Sequence, residues 1–304
     1  MHPRALVLAA LTLTACAKSP LLEQQIQTSY AEAAALDTLH DYEVARLAAA
    51  AQLSRLEGLI AQERRDPELL ALAARGWCRH AFYVAWDDRE IAEEVGDGGA
   101  ALYHGERTLA GFERAAYYAR ELVEQQAPGY TPDDPKKLQG FLSANFVEPE
   151  EASMLMWAGC AELGRAFTDS DASRAASARQ AASTLLEHSL ALDDSAGDGF
   201  AELMLAAATA LEPGASRDTI AAHLDRARRQ SKQRLLLVEV AQAMFVDCRA
   251  GDESALVTHL SAVLKAGDVA PEHRLDNLVA KRRARRYLES ATWRAKCSAP
   301  PGAR

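Results

Sequence analysis

The sequence predicts an all-α protein built from helical hairpin repeats. One helical pattern is written three times between residues 181 and 288, Ala and Leu are frequent throughout, and no convincing β-rich alternating run occurs. Ala and Leu cost least in a helix interior, whereas a half-buried strand needs apolar residues at every second position. The chain is therefore expected to contain stacked helices and no sheet.

The repeat is a narrow apolar stripe on the second helix of each unit. A small or aliphatic residue is followed four positions later by a large one and three positions after that by a third: Ala182, Leu186, Ser189; Ile220, Leu224, Ala227; Leu256, Leu260, Val263. The large residue recurs at intervals of 38 and 36. Offsets of four and three lie on one helical face, and repeats of mid-thirties length are typical of tetratricopeptide-like stacks, in which helical hairpins form an α-α superhelix.

The helix before each stripe is rich in small residues. It reads Leu163-Gly164 with Phe167, then Leu205-Ala206, then Val240-Ala241 with Met244. Small residues let two antiparallel helices approach closely, so each pair of helices is expected to form a tight hairpin.

The rest of the chain fits one folded domain over residues 30–297. Helices are expected at 30–63, 68–86 and 100–126. The proline-rich stretch 127–150 reads either as an irregular crossing with a short helix at 135–142 or as an interdomain link. The crossing is preferred because the apolar pattern resumes without a change in composition. A disordered tail is expected at 298–304.

The N-terminus has the pattern of a secretory leader. A short basic start is followed by an apolar run over residues 5–13, too short to span a bilayer. The run ends in Leu-Thr-Ala-Cys at residues 13–16, which resembles the lipobox of bacterial lipoproteins. This resemblance implies a signal peptide at 1–15, lipidation of Cys16 and a lipidated tether at 16–29.

Charge argues against nucleic-acid binding. The net charge is −9 and the isoelectric point is about 5.5, whereas binding a polyanion needs a wide basic surface. The one basic cluster, residues 281–286, is best interpreted as a solvated helix face.

Cysteine spacing leaves the redox state open. Cys16 apart, the chain has Cys78, Cys160, Cys248 and Cys297, with no Cys-x-x-Cys motif. One or two disulfides fit an oxidising compartment, but the spacing does not give their connectivity. Because Cys78, Cys160 and Cys248 lie in apolar helical stretches, buried free thiols are the preferred interpretation.

No catalytic or metal-binding motif is found. Nucleophile-elbow, zinc-protease and Walker patterns are missing from the sequence. His223 and His259 precede the stripe leucines of successive repeats and are read as equivalent positions of the repeat, since neighbouring hairpins hold them too far apart to share an ion. We expect no enzymatic activity, no cofactor and no metal.

The aromatic residues offer a candidate binding surface. One set of them, in the N-terminal half and the first repeat helix, consists of Trp77, Phe82, Tyr83, Trp86, Phe146 and Trp157. They read either as ordinary core or as the lining of an apolar ligand groove or pore. The candidate lining residues are Trp77, Phe82, Tyr83, Trp86 and Trp157.

Three segments resemble the TatT family, the T component of tripartite ATP-independent periplasmic (TRAP) transporters. Residues 154–167 (MLMWAGCAELGRAF) resemble the family's Trp-containing helix, residues 182–194 (ASTLLEHSLALDD) its repeat helix, and residues 275–288 (LDNLVAKRRARRYL) its closing helix. Tyr287-Leu288 departs from the two leucines of the family pattern, and residues 293–304 follow no family pattern.

The resemblance implies a homotrimeric lipoprotein with a partly apolar pore, on the periplasmic face of a membrane, expected to be the outer one. Its partner would be a solute-binding P component, and its ligand an apolar or carboxylated small molecule. No nucleotide or metal would be needed. The alternative is a general lipoprotein scaffold for protein interactions in the cell envelope.

Overall fold

The structure is a computed structural model that describes residues 19–298. This part of the chain is helical and contains no strand, which confirms the predicted fold class. Its helices are α1 Pro20–Asp37, α2 Tyr42–Gln62, α3 Pro67–His80, α4 Trp86–Glu94, α5 Gly98–Gln126, α6 Pro135–Asn145, α7 Ala152–Thr168, α8 Ala172–Leu192, α9 Phe200–Ala210, α10 Arg217–Gln230, α11 Leu237–Gln242, α12 Cys248–Ala250, α13 Glu253–Lys265, α14 Arg274–Glu289 and α15 Ala291–Ser298.

Two of the junctions between helices are continuous. A π-helical turn at Ala81–Ala85 joins α3 to α4, and a second one at Ala243–Asp247 joins α11 to α12. Short 3₁₀ turns, Pro149–Glu151 and Pro271–His273, lead into α7 and α14. The helix expected over residues 68–86 therefore continues to Glu94.

Local chemistry fixes where most of the helices begin. An aspartate side chain accepts hydrogen bonds from the first-turn backbone N–H groups of α2, α3, α5, α6, α8 and α13. Such caps contribute about 1 kcal/mol each. Proline occupies the first position of α1, α3 and α6, where its missing N–H costs nothing.

The predicted repeat is present as three stacked hairpins, α7–α8, α9–α10 and α11/α12–α13. Leu186, Leu224 and Leu260 are each 0 % exposed, and the other stripe residues are buried with them. Each of the last two hairpins also contains a histidine–carboxylate pair. His223 Nδ1 lies 2.6 Å from Glu202 Oε2, and His259 Nδ1 lies 2.7 Å from Asp247 Oδ2. The two histidines thus occupy equivalent positions but bind separate partners.

Glycines allow the close approach at the first hairpin. A Cβ atom at Gly159 in α7 would lie 2.7 Å from the Cγ of Leu186 in α8. A Cβ at Gly164 would overlap the ring of Phe112 in α5. The small residues of α7 are therefore a packing requirement on both of its faces.

The last long helix, α14, contacts helices near the start of the chain. Side chains of α14 bind those of α3 and α4, as Arg79 donates to Asp276 at 2.8 Å and Arg282 donates to Asp87 at 2.6 Å. The stack of hairpins is thereby closed into a ring.

The cysteine prediction is wrong in one respect. Cys78, Cys160 and Cys248 are buried as expected, but they are not free thiols. Cys78 forms a disulfide with Cys160, and Cys248 forms one with Cys297. The packing of α3 on α7 brings the first pair of Cα atoms to 6.5 Å, within bridging range.

The N-terminal boundary also needs correction. The predicted tether at 16–29 is helical from Pro20, and Ile26 and Ser29 of α1 are fully buried. The folded part thus begins about one turn of sequence after Cys16 rather than at residue 30. Signal peptide 1–15, Cys16 and residues 299–304 lie outside the described residues.

We predict that Gly164→Ala destabilises the fold. The added methyl group must displace the Phe112 ring, and such overpacking costs about 1–3 kcal/mol. Denaturant unfolding would measure the loss. Gly140→Ala in α6 is the matched control, because nothing lies within 4 Å of its added Cβ; it should gain about 0.5–1 kcal/mol. Equal effects of the two substitutions would contradict the packing role of Gly164.

Candidate functional site

A central cavity of about 350 Å³ lies inside the ring. Its wall comes mainly from the first helix of each hairpin, and α14 and α15 complete it. The wall is largely apolar, with rings contributed by Phe82, Trp86, Phe112, Phe167, Phe200 and Phe245. The volume is within the range of small-molecule sites, roughly 300–1,000 Å³.

Small side chains keep the cavity open. Gly164 of α7, Ala207 of α9 and Ala241 of α11 all lie in its wall. They belong to the same small-rich first helices that permit close hairpin packing. The residues that bring the helices together therefore also leave space at the centre of the ring.

Both π-helical turns lie in the cavity wall. Phe82 belongs to the first turn and Phe245 to the second. A π turn inserts one extra residue into a helix and is common at functional sites. Here the backbone carbonyl of Phe82 accepts a hydrogen bond from Arg283 Nη2 at 2.5 Å, so a charged residue of α14 is fastened to the turn.

The predicted lining residues separate into two groups. Phe82 and Trp86 are four residues apart, on one helical face, and both lie in the cavity wall. Trp77, Tyr83 and Trp157 are not part of this wall. That any of these residues contacts a ligand stays a prediction.

The three other side chains are engaged elsewhere. Trp77 Nε1 donates to Glu57 at 2.8 Å, and the Tyr83 hydroxyl donates to Asp276 at 2.6 Å. The Trp157 ring packs on the Phe200 ring with centroids 5.8 Å apart. Phe146 of the wider aromatic set is fully buried core.

Several wall residues were missed, although the sequence held a signal for some. Phe167 and Met244 both line the cavity. Each is the bulky residue three positions after the small residue of a first helix, Gly164 or Ala241. Tyr287 and Trp293 are brought in by α14 and α15, and their rings stack with centroids 4.4 Å apart. The Cys248–Cys297 disulfide holds α15, and therefore Trp293, against the cavity.

One side of the cavity is polar. Glu90, Arg283 and Tyr287 lie in the wall there. The Glu90 carboxylate accepts hydrogen bonds from Trp86 Nε1 at 2.9 Å and from the Tyr287 hydroxyl at 2.8 Å, and it pairs with Arg286. Three donors of the protein itself therefore bind this carboxylate.

Behind this side lies a fully buried carboxylate. Asp87 is 0 % exposed and accepts from Arg282 Nε at 2.6 Å and Arg286 Nη1 at 2.5 Å, with Arg283 Nε 3.8 Å away. Burial alone would raise the pKa of Asp87, but the three arginines outweigh it and lower that pKa. Asp87 is therefore held as an anion.

The basic cluster at 281–286 is consequently not a solvated helix face. Arg283 is 4 % exposed, and Arg282 and Arg286 bind carboxylates of α4. The expectation is wrong because the carboxylates that these arginines bind belong to α4, which lies almost 200 residues earlier in the chain and cannot be inferred from the sequence of α14. Only Arg285 of these four arginines is exposed.

A second buried network joins α14 to α3. The carboxylate of Asp276 accepts from Arg79 and Tyr83 and lies 3.2 Å from His273 Nδ1. Burial would raise the pKa of Asp276, but Arg79, His273 and Tyr83 together lower it to about 2. The hydrogen bond from His273 to Asp276 raises the pKa of His273.

These features define a class of protein: a closed ring of helical hairpins that surrounds an apolar cavity with one charged side. In residues 19–298 no three metal-ligating side chains cluster, and no helix has the length and apolar composition needed to cross a membrane. The arrangement suits binding of a small molecule.

The family model of the TRAP transporter T-component (TAtT) matches residues 38–292. Because the match covers most of the chain, the protein belongs to the TRAP transporter T-component family, whose members are accessory components of transport systems. A search of curated proteins found no significant match. The matched region runs from the end of α1 into α15 and contains the whole ring of hairpins.

We predict that Asp276→Asn reduces the acid sensitivity of the fold. The pKa of this carboxyl is about 2 in the folded chain and about 3.9 in an unfolded one. Its stabilising contribution, roughly 2 kcal/mol, is complete above the unfolded value and is lost as the pH falls through the folded one.

Urea unfolding of both proteins between about pH 5 and about pH 2 measures this difference. The free energy of unfolding of the wild type should fall more steeply with acidification than that of the variant. Parallel pH profiles would show that Asp276 does not carry the linkage.

Proposed function

We propose that this chain acts as the T component of a TRAP-type transport system, in which it binds a solute-binding P component and takes an apolar or carboxylated small ligand into its central cavity. The cavity is the observation that carries the proposal. Family membership supports the transport role. On this proposal the chain holds and passes on a ligand, with no chemistry of its own.

The cavity suits a small ligand with a large apolar part. Its rings offer broad contact area, and its polar groups are few and gathered on one side. Sites of this kind obtain affinity from apolar burial and orientation from a few fixed polar groups. Ion pairs with Asp87 and Arg286 behind the wall hold two of those polar groups, Arg283 and Glu90, in position.

The proposed assembly is a homotrimer attached to the membrane through a lipidated Cys16, on the periplasmic face and at the outer membrane. The lipobox-like sequence at residues 13–16 supports the anchor. Several acyl chains give stable attachment, whereas one chain does not. The helix α1 begins at Pro20, so the folded ring would lie close to the lipid surface.

Filling the cavity should weaken ligand binding. Ala207→Phe places a ring in the wall of α9, and we expect the affinity for 1-aminoanthracene, a small apolar fluorescent probe, to fall by roughly tenfold or more, since the probe and the new ring compete for one space. Fluorescence titration measures it. Ala110→Phe on the exposed face of α5 is the matched control. Equal probe binding by both variants would contradict the cavity as the ligand site.

The partner can be tested by co-purification. The wild-type protein, captured from a detergent extract of its own cells, should enrich a periplasmic solute-binding protein over a capture without bait, as quantified by mass spectrometry. Enrichment of other envelope proteins without any solute-binding protein would refute the transport role and favour a general scaffold.

The anchor and the trimer can be tested on one variant. Cys16→Ser removes the acceptor of the lipid, so the protein should move from the membrane fraction to the soluble fraction. Light scattering on the soluble protein should then give the mass of three chains. Retention of the variant in the membrane would contradict the anchor, and a monomer mass would contradict the trimer.

A further inference from the structure

The charged side of the cavity contains more arginines than carboxylates. Arg282, Arg283 and Arg286 project from α14 towards Asp87 and Glu90 of α4. Arginine stays protonated at every relevant pH, so three positive charges face two negative ones. Arg282 also reaches outward to the exposed Glu43, 3.9 Å from its Nη1, and Arg286 is shared between Asp87 and Glu90.

Arg283 is the arginine with the poorest pairing. Its nearest carboxylate oxygen belongs to Asp87 and lies 3.8 Å from Nε, beyond a hydrogen bond. Within residues 19–298 that Nε is a buried donor without an acceptor. Only Nη2 is used, by the carbonyl of Phe82. This Nε has almost no accessible surface and faces Asp87, so it does not open on the cavity. The Arg283 side chain nevertheless lines the cavity wall and brings a positive charge to it.

The position of the guanidinium group is fixed. It lies 4.2 Å from the centroid of the Phe82 ring, and the hydrogen bond to the π turn holds its plane. A preorganised guanidinium group attracts a carboxylate strongly, because a hydrogen bond between two ionised groups is about twice as strong as one between neutral groups. Nothing in the wall competes for it, since Glu90 already accepts from Trp86, Tyr287 and Arg286.

We infer that Arg283 is the specificity-determining residue of the cavity and selects an amphipathic monoanion, a molecule whose apolar chain fills the cavity and whose carboxylate meets the Arg283 guanidinium group. This inference rests on the proposed function only in that the cavity takes a ligand. It decides between the apolar and the carboxylated alternative.

A cationic amphiphile is the alternative that the aromatic wall would suit, because rings attract cations. The charge count opposes it. A cation in the cavity would meet Arg283 directly, and the nearest anion in the wall, Glu90, is occupied by the protein.

Three probes with one alkyl chain test the inference: octanoate, octan-1-ol and octyltrimethylammonium. Titration calorimetry would use the full chain carrying Cys16→Ser, so that no detergent is present. We expect octanoate to bind roughly tenfold or more tightly than octan-1-ol, and octyltrimethylammonium to bind more weakly than either.

Variants of one helix assign the preference. Arg283→Met should lower the affinity for octanoate by roughly tenfold or more and leave that for octan-1-ol within about twofold. Arg283→Lys should restore part of the preference, because it keeps the positive charge but loses the planar guanidinium group. Arg285→Met, on the exposed face of α14, is the matched control and should change neither affinity.

The wild-type protein gives a test that needs no variant. As the pH falls through the pKa of octanoate, about 4 to 5 for a carboxyl group, its affinity should fall towards that of octan-1-ol. Equal affinities for octanoate and octan-1-ol above that pH, or tighter binding of octyltrimethylammonium, would overturn the inference and leave the cavity as a ligand site. Failure of all three probes to bind would contradict both the inference and the proposed function.

Discussion

The buried carboxylate of Asp87 is the constraint on which the ring depends. A carboxylate with no exposure to solvent is tolerated only with close cationic partners, and the three arginines of α14 supply them. Removing one side of such a buried pair costs about 3–5 kcal/mol, because it leaves an uncompensated charge. These ion pairs hold α14 to α4, and that placement closes a stack of hairpins that would otherwise end open.

Closure by α14 turns the concave face of the stack into a cavity. Stacked hairpins alone present a concave surface; when α14 completes the circle, that surface becomes the wall of a cavity of about 350 Å³. The residues that close the ring also give the cavity its charged side, because Arg283 and Tyr287 lie on the same helix as Arg282 and Arg286. The two disulfides fasten this arrangement, one between α3 and α7 and one between α12 and α15.

The sequence predicted correctly the features that depend on helical periodicity within one segment. The stripes around Leu186, Leu224 and Leu260 depend on helix geometry alone, and all three are buried in stacked hairpins. The pairing of cysteines and the partners of the arginines depend on which distant helices meet, which no spacing within one helix reveals. The aromatic residues show both cases. Helical periodicity alone places Phe82 and Trp86 on one face. That this face lines the cavity, and that the Tyr83 hydroxyl binds Asp276, depends on the contact with α14.

Hydrogen–deuterium exchange of the wild type and of Asp87→Asn tests the central claim most directly. The substitution keeps the shape of the side chain and removes its charge, so the clamp between the two ends of the stack is weakened. The account predicts faster exchange in α14 and in α3–α4 together, with the amides of α8 and α10 unchanged. Faster exchange confined to α4, with α14 still protected, would contradict it.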